Sequence, residues 1–190
     1  MTRHHTPQET ERAIQRRLGD VPLRHDAMMA VSNVYRAAAA IRQHLEGSVL
    51  RSADLTWTSF VVLWVVWIWD EMETRHVAEE AGISKGTLTG VVKTLEGRGL
   101  IERRAHATDG RLVLLRLTGG GHELMRRLFP AFNAEEAFVV ERLSGEENRA
   151  LAQTLRSVVE HLEEEGEGRR AALREQSPPP PRRSGRRARG

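Results

Sequence analysis

The segment WTSFVVLWVVWIWD, residues 57–70, is apolar on almost every side of a helix and constrains the fold of this chain more than any other stretch. A helix without a polar face has to be surrounded, so the other elements are expected to wrap around it. Its most apolar part, Phe60 to Trp69, is about ten residues long and stops at Asp70 and Glu71, short of the roughly 20 a bilayer-spanning helix needs. It reads as the centre of a buried core, and no membrane association is expected.

With 190 residues, the chain has room for one well-packed domain or two small intertwined ones. There is no cysteine, which removes disulfides, thiol redox sensing, cysteine nucleophiles and cysteine-ligated zinc. The first residues, MTRHHTPQETERAIQRRL, lack the apolar stretch of a signal peptide, so a cytoplasmic location is expected. Charge is unevenly spread. Residues 166–190 hold eight Arg against Glu167 and Glu175, a local +6 within an overall +3, which leaves −3 on the preceding 165 residues. Within that acidic body, Ser84 to Arg116 is a basic island, with seven Lys or Arg against three acids.

Local signals predict the elements in turn. Thr6-Pro7-Gln8-Glu9 is a capping box with proline in the first turn, opening a short helix to about Leu18. Met28, Val31, Val34, Tyr35, Ala38, Ile41 and Leu45 repeat at helical spacing over about 24–46, with Gly47 as the expected stop. Thr56 caps the tryptophan-rich helix; Thr74 is expected to cap a short helix to Ala81, and Ser84 another to about Gly97, with a Gly82-Ile83 turn between them. Two short helices around a glycine turn suggest a helix-turn-helix. Leu100–Arg104 and Leu112–Leu117 have strand character and form a hairpin across a polar link. Thr118 opens a long helix to about Val140 that contains Pro130, and Ser144-Gly145-Glu146-Glu147 opens the last one. Gly166 is expected to end the ordered part, because the remainder offers few apolar residues to bury.

The helix capped by Ser84 has the residue pattern most suggestive of function. Leu88, Val91, Val92 and Leu95 face inward, so Gly86, Gly90, Lys93 and Gly97 face outward, flanked by Thr87, Thr89 and Thr94 and preceded by Lys85. Apart from Glu96 at its margin, this face has no carboxylate. Small residues let a backbone approach base edges, threonine can donate, accept or touch a thymine methyl, and lysine reaches guanine or phosphate. An exposed helix is often just polar. The weight comes from the adjoining hairpin, whose Arg103, Arg104 and Arg111 could enter a minor groove while the helix lies in the major groove.

These residues resemble a known family. HVAEEAGISKGTLTGVVKTLEGRGLIERRAHATDGRLVLLRLT is similar to the winged helix-turn-helix of the MarR family of bacterial regulators, and the resemblance runs from about Leu23 to Glu165, including LTWTSFVVLW, Asp109-Gly110-Arg111 and Thr118 to Gly121. It implies a mainly α fold with a small β-hairpin wing. The expected organisation is an N-terminal extension (1–23), a helical dimerisation region (24–55 and 119–165), a winged helix-turn-helix (56–118) and a Pro/Arg-rich tail (166–190). It also implies a homodimer on palindromic double-stranded DNA, with Ser84, Lys85, Gly86, Thr87, Thr89 and Lys93 at the major groove or its phosphates and Arg111 in the minor groove. Asp109 would orient Arg111 or hold the wing turn. Two departures stand out: Gly119 to Gly121 should weaken the start of a helix, and His106-Ala107-Thr108 is poor in charge for a wing tip.

The resemblance also suggests a small aromatic effector in a crevice lined by Tyr35, Arg36, Trp57, Phe60, Trp64 and Trp67, with His44 further along; the competing reading is that these aromatics are plain core. The eight histidines form no HExxH-type group, so neither a metal nor any other cofactor is expected. GxGxxG, GxxxxGK[ST] and GxSxG are all missing, and the chain does not read as an enzyme. Its reading is a dimeric repressor released by a ligand; the alternative is a ligand-insensitive architectural DNA-binding protein. The arginine-rich end is either a phosphate tether or a solvated extension.

Overall fold

The computed structural model describes residues 5–106, 109 and 111–176. Expectations for Ala107, Thr108, Gly110 and the 177–190 tail lie outside the described residues. The chain divides into two compact units, one ending at Val139 and one beginning at Val140.

The first unit contains α1 (Pro7–Leu18), α2 (His25–Leu45) continued by a π-helical turn (Glu46–Leu50), then α3 (Trp57–Trp69), β1 (Glu71–Glu73), α4 (Thr74–Glu80), α5 (Lys85–Gly97), β2 (Ile101–Ala105), β3 (Val113–Leu117) and α6 (Gly119–Val139). α3 is the hub, as its sequence demands. Phe60, Val62, Leu63, Val65 and Val66 are buried, and α4, α5, α6, β1 and β3 all pack on it. Around it close Val77, Leu88, Val92, Leu95, Ile101, Leu115, Leu117, Met125, Leu128 and Phe132. Truncating a residue such as Leu63, which is fully enclosed, would cost roughly 2 to 5 kcal/mol. Only the last turn emerges, with Ile68 and Trp69 exposed.

The helix starts are local. Thr6 and Glu9 form the reciprocal box, Thr56 Oγ1 accepts the Ser59 N–H and Ser84 Oγ the Thr87 N–H. Thr74 corrects its expectation by one residue: it is the first helical residue of α4, and Glu73 occupies the cap without a side-chain bond. Gly82 takes φ +62°, which gives the turn between α4 and α5 its reversal.

Three other expectations are corrected by tertiary packing within this unit. Gly47 does not stop α2; the helical run passes through it and closes at Asp54, φ +51°, after Leu50 is buried against the core. The hairpin is a three-stranded sheet, β1-β3-β2, in which Met72 pairs with Leu115 and Arg103 with Leu115 from the other side. Gly119 to Gly121 are not simply weak helix formers. A methyl on Gly121 would collide with the Leu100 carbonyl, and one on Gly120 would lie 3.3 Å from the Gly99 carbonyl, so the first turn of α6 can sit on that backbone only without side chains. α6 then continues through Pro130.

The second unit is dominated by α7 (Gly145–Gln176), a 32-residue helix that passes through Gly166 and corrects the expected end of order. At about 1.5 Å per residue it is close to 48 Å long. Ser144 and Glu147 cap it, and Arg170 and Arg174 both pair with Glu167 beyond the glycine, which supports the last turns. Leu151, Leu155, Val158, Val159 and Leu162 form an exposed apolar stripe. No helix among the described residues is long and apolar enough to cross a membrane.

Candidate nucleic-acid interface

α5 is anchored by Leu88, Val92 and Leu95, and this choice of buried face turns Lys85, Gly86, Thr87, Thr89, Gly90, Lys93 and Thr94 to solvent. Ser84 is exposed as the cap, and its hydroxyl also lies 2.9 Å from Thr87 Oγ1. The first turn of α5 has no acid, and its remaining amides point past Ser84 with the positive end of the helix behind them. Two threonines turn inward to the backbone: Thr89 Oγ1 donates to the Lys85 carbonyl at 2.9 Å and Thr94 Oγ1 to the Gly90 carbonyl at 3.1 Å. A methyl at Gly90 or Gly97 would meet nothing within 4 Å, so no contact among the described residues demands glycine there.

The sheet stands beside this helix. Leu115 and Leu117 are buried on β3, whereas Arg103 and Arg104 are exposed on β2. Both arginines are engaged. Arg103 lies 3.4 Å from the Glu96 carboxylate of α5, and Arg104 lies 3.1 Å from Glu102, which also holds Arg116 at 3.6 Å. Exposed pairs of this kind contribute at most about 1 kcal/mol, so a phosphate could displace either carboxylate. At the loop, Asp109 Oδ1 accepts the backbone N–H of Arg111 at 3.0 Å, and the Leu112 N–H reaches the Asp109 carbonyl at 3.0 Å. Asp109 thus holds the turn through backbone bonds. Arg111 is exposed next to it.

Between α4, α5 and the sheet lies an open cleft of about 340 Å³ lined by Leu88, Val92 and Val113 together with Arg75, Lys85 and Arg103. Arg75 was not singled out from the sequence. Its signal was a basic residue in the first turn of the helix preceding α5, and only the packing of α4 against α5 brings it beside Lys85.

The residues expected to line an effector crevice fall into separate groups. Phe60 stacks on Phe132 at 4.1 Å, Trp64 stacks on Phe129 at 4.6 Å, and Trp57 and Trp67 lean on the same two α6 rings. These aromatics fill their own space. Tyr35 is 74% exposed and contacts no other ring among the described residues, while Arg36 faces Glu11 and Gln15 of α1. Four of the six thus share the α6 aromatic cluster, and Tyr35 and Arg36 lie apart from it. His44 sits elsewhere, 2.6 Å from Glu135 and stacked on Phe138. No group of three or more candidate metal ligands occurs among the described residues.

With this geometry in place, the comparisons with known proteins are specific. Residues 55–113 match the MarR family model. An uncharacterised HTH-type transcriptional regulator, YwaE of Bacillus subtilis (strain 168), is 34% identical over 137 residues, covering 72% of this chain and 80% of the relative. Among solved structures, Sco3205, a MarR family transcriptional regulator from Streptomyces coelicolor in complex with DNA, is 26% identical with a TM-score of 0.67, over 75% of this chain and 92% of its own. BpsR of Bordetella bronchiseptica, whose DNA binding is regulated by 6-hydroxynicotinic acid, shares the fold at 23% identity and a TM-score of 0.63, over 68% and 98% of the two chains. A winged helix built on a tryptophan-rich central helix, a basic exposed face on α5 and this degree of likeness make the chain a member of the MarR family, a DNA-binding transcriptional regulator.

Proposed function

We propose that this regulator works in the cytoplasm as a homodimeric repressor, reading a palindromic duplex with α5 in the major groove and the β2–β3 wing at the minor groove, and released by a small aromatic ligand. The observation that carries the DNA reading is the exposed face of α5, with two lysines, small residues and no carboxylate except the wing-paired Glu96. Ser84, Lys85, Gly86, Thr87, Thr89 and Lys93 meet bases or major-groove phosphates. Arg103, Arg104 and Arg111 serve the wing, with Asp109 holding its turn. Dimerisation through α2, α6 and α7 is supported by exposed Val31, Val34, Phe138 and the α7 stripe, apolar surface that a second copy would cover.

Selection from a random duplex pool and then footprinting tests this directly. A single inverted repeat protected on both halves supports the reading; uniform protection of any duplex overturns it. Ligand release draws support from BpsR, the similar fold regulated by an aromatic acid. The alternative, a ligand-insensitive architectural DNA-binding protein, is favoured by the closed packing of Trp57, Phe60, Trp64 and Trp67 on Phe129 and Phe132. Titrating aromatic acids into the selected complex separates the two, since only the first reading predicts dissociation.

A further inference from the structure

The C-terminal end of α5 is tied to the rest of the unit by a side chain that neither the helix itself nor the wing requires. Arg98 comes directly after the last residue of α5, and its guanidinium donates to the Asp54 carbonyl at 2.5 Å and to the Ala53 carbonyl at 2.9 Å, some 45 residues back along the chain. Those two carbonyls end the helical run begun by α2, where the Asp54 N–H bonds to the Arg51 carbonyl and Leu55 to Leu50. Terminal helix carbonyls carry the negative end of the aligned peptide dipoles, and a guanidinium presents two donors in a fixed plane to them. The same strap is held at its other end: Glu46 accepts the Trp57 N–H at 2.8 Å, so its carboxylate caps α3. Immediately after Arg98, Gly99 turns at φ +67° and its carbonyl accepts Thr118 Oγ1 at 2.5 Å, while the Leu100 carbonyl accepts the Thr118 N–H at 3.1 Å. α2, α5 and α6 thus converge on three consecutive residues.

Apolar packing and directional bonds constrain a helix differently. Leu88, Val92 and Leu95 settle which face of α5 is buried, yet side chains of this type tolerate a few degrees of tilt. Two short bonds from a planar group at the helix end do not. We propose that Arg98 is a positioning residue for DNA reading: by gripping the Ala53 and Asp54 carbonyls it sets the tilt at which α5 presents Lys93 and the threonines to the duplex. This rests on the reading in which α5 meets the bases. The competing role for an exposed arginine is a direct phosphate contact, which the experiment has to separate.

The test uses the full chain and two probes, the duplex most enriched from a random pool by the unaltered protein and a scrambled duplex of the same composition. Arg98→Ala is expected to lose about tenfold in affinity for the enriched duplex, with affinity for the scrambled one and the slope of affinity against salt both unchanged. Arg98→Lys, which reaches only one carbonyl well, should recover part of the loss. A salt slope lowered by about one, with equal loss on both duplexes, makes Arg98 a phosphate contact and overturns the proposal. Unaltered affinity for the enriched duplex overturns it as well. If Arg98→Ala does not fold, Arg98→Lys decides: weakening confined to the enriched duplex supports positioning, and weakening on both or neither overturns it. Lys93→Ala, measured alongside, tells the two failures apart. If it changes nothing, or the pool enriches no sequence, the α5 reading falls and takes this inference with it; if Lys93→Ala weakens enriched binding and Arg98→Ala does not, this inference alone falls.

Discussion

α5 and α7 open with the same residue and part company three positions later. Ser84 and Ser144 each accept the N–H of the residue three positions on. Ser144 is answered by Glu147, whose carboxylate takes the Ser144 N–H at 2.8 Å, and α1 repeats the arrangement with Thr6 and Glu9. Ser84 is answered by Thr87, which has no charge to return. A helix whose own carboxylate satisfies its positive end has little to offer an external anion, whereas α5 keeps that end available. A second contrast runs parallel. The glycines of α5 look into open space at Gly90 and Gly97, and those of α6 look into the backbone at Gly120 and Gly121. In α6 glycine serves the fold; in α5 no contact among the described residues explains it, and the proposed fit into a duplex groove would.

The strongest challenge to this contrast is Gly121→Ala. The collision with the Leu100 carbonyl should lower stability by about 3 kcal/mol, read as a drop in the urea midpoint at unchanged slope. An unchanged midpoint would mean α6 does not need the close approach. Lys93→Ala should leave the midpoint alone and weaken binding to the enriched duplex by roughly 1 to 3 kcal/mol if Lys93 reads a base. Fluorescence anisotropy at fixed salt measures it, and full retention of affinity would take Lys93 out of the interface.

Thr87→Glu converts the start of α5 into that of α7. The fold should gain a few tenths of a kcal/mol from the completed box while duplex affinity falls by about 1 kcal/mol, as a carboxylate displaces phosphate from the helix end. If binding survives intact, the contrast between the two helix starts has no functional meaning. Gly90→Ala should raise stability by about 0.5 to 1 kcal/mol and weaken duplex binding, a pair of opposite signs that a purely structural glycine would not give.

The smallest effect is one of pH. The N–H and hydroxyl of Ser144 hold the Glu147 carboxyl below its ordinary range. A depressed folded value means that the stabilisation is present above the carboxyl's unfolded pKa and is lost as pH falls through the lowered one. Glu147→Gln should abolish this acid-dependent loosening of the first turn of α7. NMR titration of the first-turn amides would show an acid step in α7 and none of that origin in α5; equal steps in both would erase the difference.

How much was legible depends on the range over which each signal acts. Thr56 and Ser84 were readable as helix starts because a cap bonds to an amide three residues away. The buried face of α5 was readable because Leu88, Val92 and Leu95 repeat at helical spacing. β1 was not, since Glu71-Met72-Glu73 has no strand pattern and exists as a strand only by pairing with β3. Arg75 and Arg98 were visible only as charges until packing supplied their neighbours.

The sequence alone determined the central helix, the helix-turn-helix with its basic outer face and the wing hairpin, because apolar periodicity, caps and turn residues act within a few positions. Tertiary structure decided that α2 runs on through Gly47 and that the glycines opening α6 form a contact surface. It also decided that the tryptophan stripe closes on Phe129 and Phe132 and that Arg98 grips a distant helix end. Each of these depends on which segments meet, and free energy from contacts across tens of residues overrides local preferences worth about 1 kcal/mol apiece.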